Sequence, residues 1–403
     1  MKVSKIILFC LVTLLLPTLI YQNCNERPLD LSGLSGSSSL TEKTRITGGH
    51  LHSCLLNAGN LKCWGFNQWG EVGNGNIVSQ SSPVTALDKD VTYAAAGTHY
   101  TCAIKVGGAL FCWGQNSFGQ LGNGTTVAST APPTFIPQPV IEMSAGVTKV
   151  TAGYFATCAI KERKLYCWGN NSDGQLGIGN TTNQNYPVAV PGMESDVTDV
   201  ATTGYQGNHT CAIKAGALYC WGVNRFYQLG DGTAVARKQP VPVNNMNSGV
   251  TSVAVGAEYT CAIKQSKLYC WGLNNNGRLG TGDLIDRVVP TQISFEGKLV
   301  QKISVASTHA CALAGGQAYC WGGNTFGQIG NETYVDVSTP FKLVGLDNAS
   351  DVTASGTYDS VGSRASSYAI VGNKVYSWGA NSYGQLGNGS TTSRTVVFEA
   401  FTF

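Results

Sequence analysis

A ten-residue segment of the form Trp-Gly-x-Asn-x-x-Gly-Gln-Leu-Gly recurs seven times, starting at Trp64, Trp113, Trp168, Trp221, Trp271, Trp321 and Trp378. A fixed period of this kind means one supersecondary unit repeated and stacked, and it limits the possible folds more than any other feature of the chain. Trp64 and Trp378 are 314 residues apart over six intervals, so one unit is about 52 residues long. Seven units occupy 44–403. Each contains four short runs with strand character, as at 147–153, 157–161, 164–169 and 186–190, separated by turn residues. The 50 glycines and the low charged content of 12% suit many short strands joined by tight turns. The expected fold is all-β, a seven-bladed propeller of four-stranded antiparallel blades. The closing strand stays open between Ile46 near the start and the run Val396 to Phe401 near the end.

The cysteines allow one strand pairing to be derived. Twelve of the 14 fall in pairs within single units: Cys54 with Cys63, Cys102 with Cys112, Cys158 with Cys167, Cys211 with Cys220, Cys261 with Cys270, and Cys311 with Cys320. If each pair faces across a hairpin, Cys211 opposite Cys220 places Ile213 opposite Leu218 and leaves Ala215-Gly216 as a favoured two-residue turn. The one pair that is ten apart leaves Val106-Gly107-Gly108, a three-residue turn that absorbs the extra residue. Tyr368 and Ser377 hold these positions in the seventh unit, which has lost its staple. Disulfides are favoured over free thiols, and zinc is disfavoured because there is no C-x-x-C spacing.

Lys2 and Lys5 precede an apolar run from Ile6 to Leu16, which reads as an export signal over 1–23 and is too short for a membrane span. Cys24 follows it and would be the leftover thiol once six pairs form and Cys10 leaves with the signal. Its place after the apolar run suits lipidation, although the bulky Tyr21-Gln22-Asn23 departs from the small residues such signals place there. Residues 24–43 have the composition of a flexible tether. The expected location is therefore the cell envelope, by a lipid anchor, or the extracellular space. A formal charge of +3 with scattered basic residues gives no footprint for nucleic acid.

The repeat resembles that of the regulator of chromosome condensation family, in an exported, cysteine-rich bacterial form. The motif stands intact as Trp113-Gly114-Gln115-Asn116 with Gly119-Gln120-Leu121-Gly122, and again from Trp378 to Gly387. Glu71 and Arg278 replace the Gln, and Tyr227 replaces the first Gly. The resemblance implies a seven-bladed propeller and protein recognition by loops on one face. Family members include a nuclear guanine-nucleotide exchange factor, and a secreted bacterial propeller of similar repeat type inhibits β-lactamases.

The repeated Trp and Gly read as structural, packing between blades and allowing close backbone approach. His52, His209 and His309 stand two residues before a first cysteine and His99 three before. A metal-binding ring is disfavoured because Tyr100, Ala156, Tyr259 and Ser366 interrupt it. There is no carboxylate pair, nucleophile elbow or phosphate loop, so no enzyme, metal or cofactor is expected. The units differ most just before the first hairpin. Tyr154, Phe155, Tyr205, Glu258, Tyr259 and Tyr358 are the candidate binding residues there, either as interface anchors or as plugs of the channel mouth. The expected function is that of a monomeric scaffold binding another protein. The alternatives are an inhibitor of an extracellular hydrolase such as a β-lactamase, a carbohydrate-binding propeller, and an exchange-factor-like protein.

Overall fold

The computed structural model describes residues 44–127, 134–202, 208–356, 358–359 and 362–403, and Cys24 and Tyr205 lie outside them. Seven four-stranded antiparallel sheets form blades 1 to 7 over 45–87, 91–139, 147–189, 197–242, 250–293, 300–347 and 351–402, the first six from consecutive strands and the seventh with a short ribbon of Tyr358–Asp359 and Gly362–Ser363 between its first and second strands. In blade 3 the strands are Val147–Ala152, Ala156–Lys161, Lys164–Gly169 and Gln184–Ala189, running from the centre of the ring to its rim. The first strands line a central channel.

The second strands are buried on both faces and accordingly read as near-continuous small and apolar runs such as Thr-Cys-Ala-Ile. The fourth strands lie on the rim. Six of them carry a proline, at Pro83, Pro137, Pro187, Pro240, Pro290 and Pro340, which denies a neighbouring chain a continuous ladder of donors.

The expected hairpin register is present. Cys211 pairs with Cys220 and Ile213 with Leu218, and Ala215 and Gly216 turn at φ 49° and 78°. In blade 2 Ile104 pairs with Leu110, and the turn is carried by Val106, Gly107 and Gly108. All six cysteine pairs are disulfides, with Cα atoms 4.1 Å apart. In blade 7 Tyr368 faces Ser377. Tyr368 is fully buried against Trp64, and its hydroxyl donates to the Gln385 carbonyl at 2.6 Å.

Both candidate closing strands are used, each within its own blade. Arg45–Gly48 is the innermost strand of blade 1, and Arg394–Thr402 is the outermost of blade 7. The ring closes without strand exchange. Trp64 Nε1 donates to Gln385 O at 2.7 Å, and the Ile46 amide donates to the Asp351 carboxylate at 3.0 Å.

Candidate functional site

The loops between first and second strands and those between third and fourth strands meet on one face of the ring. In blade 3 the Asn170 amide donates to Phe155 O at 2.8 Å, and every other blade has an equivalent bond, such as Leu273 N to Glu258 O. The repeat motif builds the outer part of this face. Its Asn accepts the amide five residues on with Oδ1 and donates through Nδ2 to the carbonyl nine residues on, as Asn116 does to Leu121 N and Thr125 O, each at 3.0 Å. This folds the loop into a rigid clasp.

The clasp then reaches the next blade. The indole N–H of each repeat Trp donates to the carbonyl at the Gln position of the preceding blade, at 2.7 to 3.0 Å all round the ring. The last motif glycine lies over that indole: a Cβ on Gly73 would stand 2.4 Å from Trp113 Nε1, and one on Gly387 2.8 Å from Trp64 Nε1. Trp and Gly are thus the seam between blades, as their recurrence implied.

In five blades the residue two before the first cysteine is a further strut across the seam. His52 Nε2 bonds Thr101 Oγ1 at 2.8 Å, His209 Nε2 bonds Thr260 Oγ1 at 2.8 Å, and His309 Nε2 bonds Ser367 Oγ at 2.9 Å. Burial lowers the pKa of His52 and His309 to about 3, so both act as neutral imidazoles. Tyr100 and Tyr259 occupy the same register and donate their hydroxyls to Ala156 O and His309 O. Tyr259 is 0% exposed. As a binding residue it is therefore corrected: its ring faces the neighbouring blade, and no partner can reach it.

The other candidates are placed differently. Tyr154 and Phe155 are half-exposed on the face, and Phe155 stacks on Phe118 at 4.6 Å between ring centroids. Glu258 is half-buried, at φ 65°, beside a cavity between blades 5 and 6. Tyr358 pairs with Ser363 in a short ribbon.

Sequence reasoning missed the aromatics inside the motif itself. The residue two before the Gln position is Trp69, Phe118, Phe226, Phe326 and Tyr383 in five blades, and all five are half-buried on this face. Their backbone amides donate to the Gln or Glu side chain, as Phe118 N does to Gln120 Oε1 at 3.0 Å and Trp69 N to Glu71 Oε2 at 2.8 Å. Around Trp69, rings of Phe66, His99, His50 and Tyr383 adjoin one another, and Arg364 lies over Tyr383. The recurrence of an aromatic at a variable position of the motif was the available signal.

The channel opens on this face past Gly97, Gly153 and Gly256, through a cavity of about 120 Å³. A larger cavity of about 420 Å³ at the other mouth is ringed by Arg45, Tyr93, Lys149, Gln301, Lys302 and Asp351. Lys149 pairs there with Asp199, and Lys302 with Asp351.

A family model described as RCC1-like domain matches residues 23–312 and 89–401. Protein RCC2 homolog of Danio rerio is 36% identical over 99 residues, 24% of this chain and 20% of that protein. The ultraviolet-B receptor UVR8 of Arabidopsis thaliana is 30% identical over 207 residues, 50% of this chain and 46% of that protein. The chain thus covers less than half the length of either relative. Among solved structures, yeast RCC1 (Prp20), crystallised bound to Kap60, superposes with a TM-score of 0.73 at 20% identity, covering 85% of this chain and 84% of that one. Human WBSCR16 gives 0.72 at 20% identity, covering 85% and 95%. The clasped seams, the seven blades and the family match lead to one conclusion: this chain belongs to the RCC1-like domain family and is a propeller scaffold of that type.

Proposed function

We propose that the chain is an exported scaffold that binds another protein through the face carrying Trp69, Phe118, Phe226, Phe326 and Tyr383. One observation carries this reading. At that position the clasp itself uses only the backbone amide, and Asp173 makes the same bond to Gln175 without an aromatic ring. The repeat therefore does not require large apolar side chains there, yet five of seven blades present one, half-exposed. Aromatic groups of this kind, held by a rigid scaffold, are what protein interfaces use as anchors. Tyr154 and Phe155 extend the same surface. A protein partner also fits two similar structures, yeast RCC1 (Prp20) bound to Kap60 and Prp20p of Saccharomyces cerevisiae, which was studied for its binding to Gsp1p and histones.

Six disulfides support an oxidising compartment, in line with the basic-apolar segment before Cys24 and with lipidation at that residue. Intact mass of the fractionated full chain, with and without reduction, tests this part: a lipid increment on Cys24 and twelve missing hydrogens support it, and free thiols in an unprocessed product overturn it.

The binding reading is tested by immobilising the full chain, capturing exported proteins and mapping cross-links. Links are expected in the loops of the aromatic face. Trp69→Ala and Phe118→Ala are each expected to weaken retention of the captured partner roughly 10- to 30-fold, with little change in thermal midpoint. Links confined to the rim or the opposite face, or full retention by both variants, would sink the proposal. If a captured partner is a hydrolase, its inhibition is assayed directly.

A further inference from the structure

Arg278 stands where five other blades have Gln and one has Glu. It is only 4% exposed. Its Nη1 donates to the carbonyls of Ala257 at 3.3 Å and Ser307 at 2.8 Å, and its Nη2 donates to Oδ1 of Asn275 and of Asn276. All four acceptors are neutral, and Nε, the fifth donor, has no partner. The guanidinium lies over the Tyr259 ring, 5.8 Å from its centroid, and Glu258, Asp286 and Asp336 attract it through space, but no carboxylate contacts it, so this desolvated charge is only partly compensated.

Arg278 lines a cavity of about 350 Å³ between blades 5 and 6, together with Glu258, Leu273, Asn275, Thr308 and Thr325. Glu258 is half-buried, and its carboxylate makes no hydrogen bond or ion pair among the described residues, although its backbone is held at φ 65° and its carbonyl accepts from Leu273 N at 2.9 Å. Burial acts on both groups in the expected directions, raising the Glu258 pKa and lowering that of Arg278. One cavity thus has a cation and an anion that do not pair with each other. A carboxylate entering it meets Arg278 favourably and Glu258 unfavourably, and a cation meets the reverse. A planar group with an acceptor and a donor on the same carbon satisfies both.

We infer that this cavity is a socket for a carboxamide, an Asn or Gln side chain of the protein partner, with its carbonyl turned toward Arg278 and Asn275 and its NH₂ toward Glu258. The identity of the occupant as a protein side chain rests on the binding function proposed above, and the chemistry of the socket rests on the cavity itself.

The test titrates the full chain with capped glutamine, capped glutamate and capped arginine, each N-acetylated and closed as the C-terminal dimethylamide so that only the glutamine probe has a primary carboxamide, and follows backbone amide resonances. Saturable shifts at Asn275 and Thr325 with the glutamine probe are expected, at least fivefold tighter than with either charged probe. Arg278→Gln places in blade 5 the residue that Gln120, Gln175, Gln228, Gln328 and Gln385 already provide elsewhere, so the fold has a precedent for it. That variant is expected to weaken the glutamine probe at least tenfold with an unchanged thermal midpoint, and Glu258→Gln is expected to weaken it as well. Preference for the glutamate probe would make this an anion site, and preference for the arginine probe a cation site; either overturns the inference. Lack of saturation with all three at roughly 100 mM, beyond the range in which so small a well-fitted group should bind, overturns it too. No partner is needed for these titrations, so their failure is distinguishable from failure of the capture experiment.

Discussion

Tyr227 shows what single positions of the motif demand. Six blades have glycine there, at φ 70° to 80°, and a Cβ on those glycines would approach the fourth strand of the next blade, 2.5 Å from Asn185 Cα for Gly119 and 2.6 Å from Ser338 Cα for Gly277. Tyr227 adopts the same left-handed conformation, at φ 65°, which costs a residue with a Cβ about 1 kcal/mol or more. Tyr227→Gly is therefore expected to stabilise the chain by about 1 kcal/mol in denaturant unfolding, and a loss of stability would show that the tyrosine ring contributes more than its backbone costs. Tyr259 gives the complementary case. Tyr259→Phe removes the hydroxyl bonded to His309 O, which should cost about 1 kcal/mol and leave partner capture unchanged; a loss of capture at constant stability would restore it as a binding residue. Its burial was hidden in the sequence because its position holds His, Tyr, Ala or Ser in different blades. Chemically diverse residues look like surface variation, yet all of them are buried, and the His and Tyr among them bridge a seam.

The hairpins were the most legible elements, because paired cysteines fix a register as well as a contact. The Cys211–Cys220 bridge closes a loop of about ten residues, and replacing both with alanine should cost roughly 2 to 3 kcal/mol in the chain-entropy model, measured by denaturant unfolding of the oxidised protein. Blade 7 needs no such bridge because Tyr368 spans to Gln385 O and Ser377 Oγ donates to Leu386 O at 2.9 Å. Ring closure was not legible. Nothing in Ile46 or in Val396 to Phe401 distinguishes a strand added to a foreign blade from one completing its own. The aromatic face was half legible: Tyr154 and Phe155 stood out in a variable loop, while Trp69 and Phe118 were concealed inside a motif whose constant positions drew the structural explanation.

At the scale of the whole ring, buried imidazoles set the response to acid. Burial lowers the pKa of His50, His52 and His309 from 6.5 to about 3, and His99 adds to the effect on the first two. The unfolded chain therefore binds protons that the folded chain refuses between those values. Their contribution is complete above pH 6.5 and is lost as pH falls toward 3, with a slope of up to about 1.4 kcal/mol per pH unit for each imidazole. Glu71 and Glu258, whose carboxyls are raised by burial, oppose this only above pH 4.5. Denaturant unfolding should show falling stability from pH 6.5 to 4, and a flat profile would mean that these residues become protonated within the fold. The seams have a further consequence. Every blade is one uninterrupted stretch, and the contact that closes blade 7 on blade 1, Trp64 to Gln385 at 2.7 Å, is of the same kind as Trp221 to Gln175 at 2.9 Å within the chain. Order along the polypeptide is therefore a matter of covalent convenience. A circular permutant joining Phe403 to Thr44 through a linker like the seven residues 190–196, and opened between Glu194 and Ser195, should assemble the same ring, with the cut edge becoming the new closure.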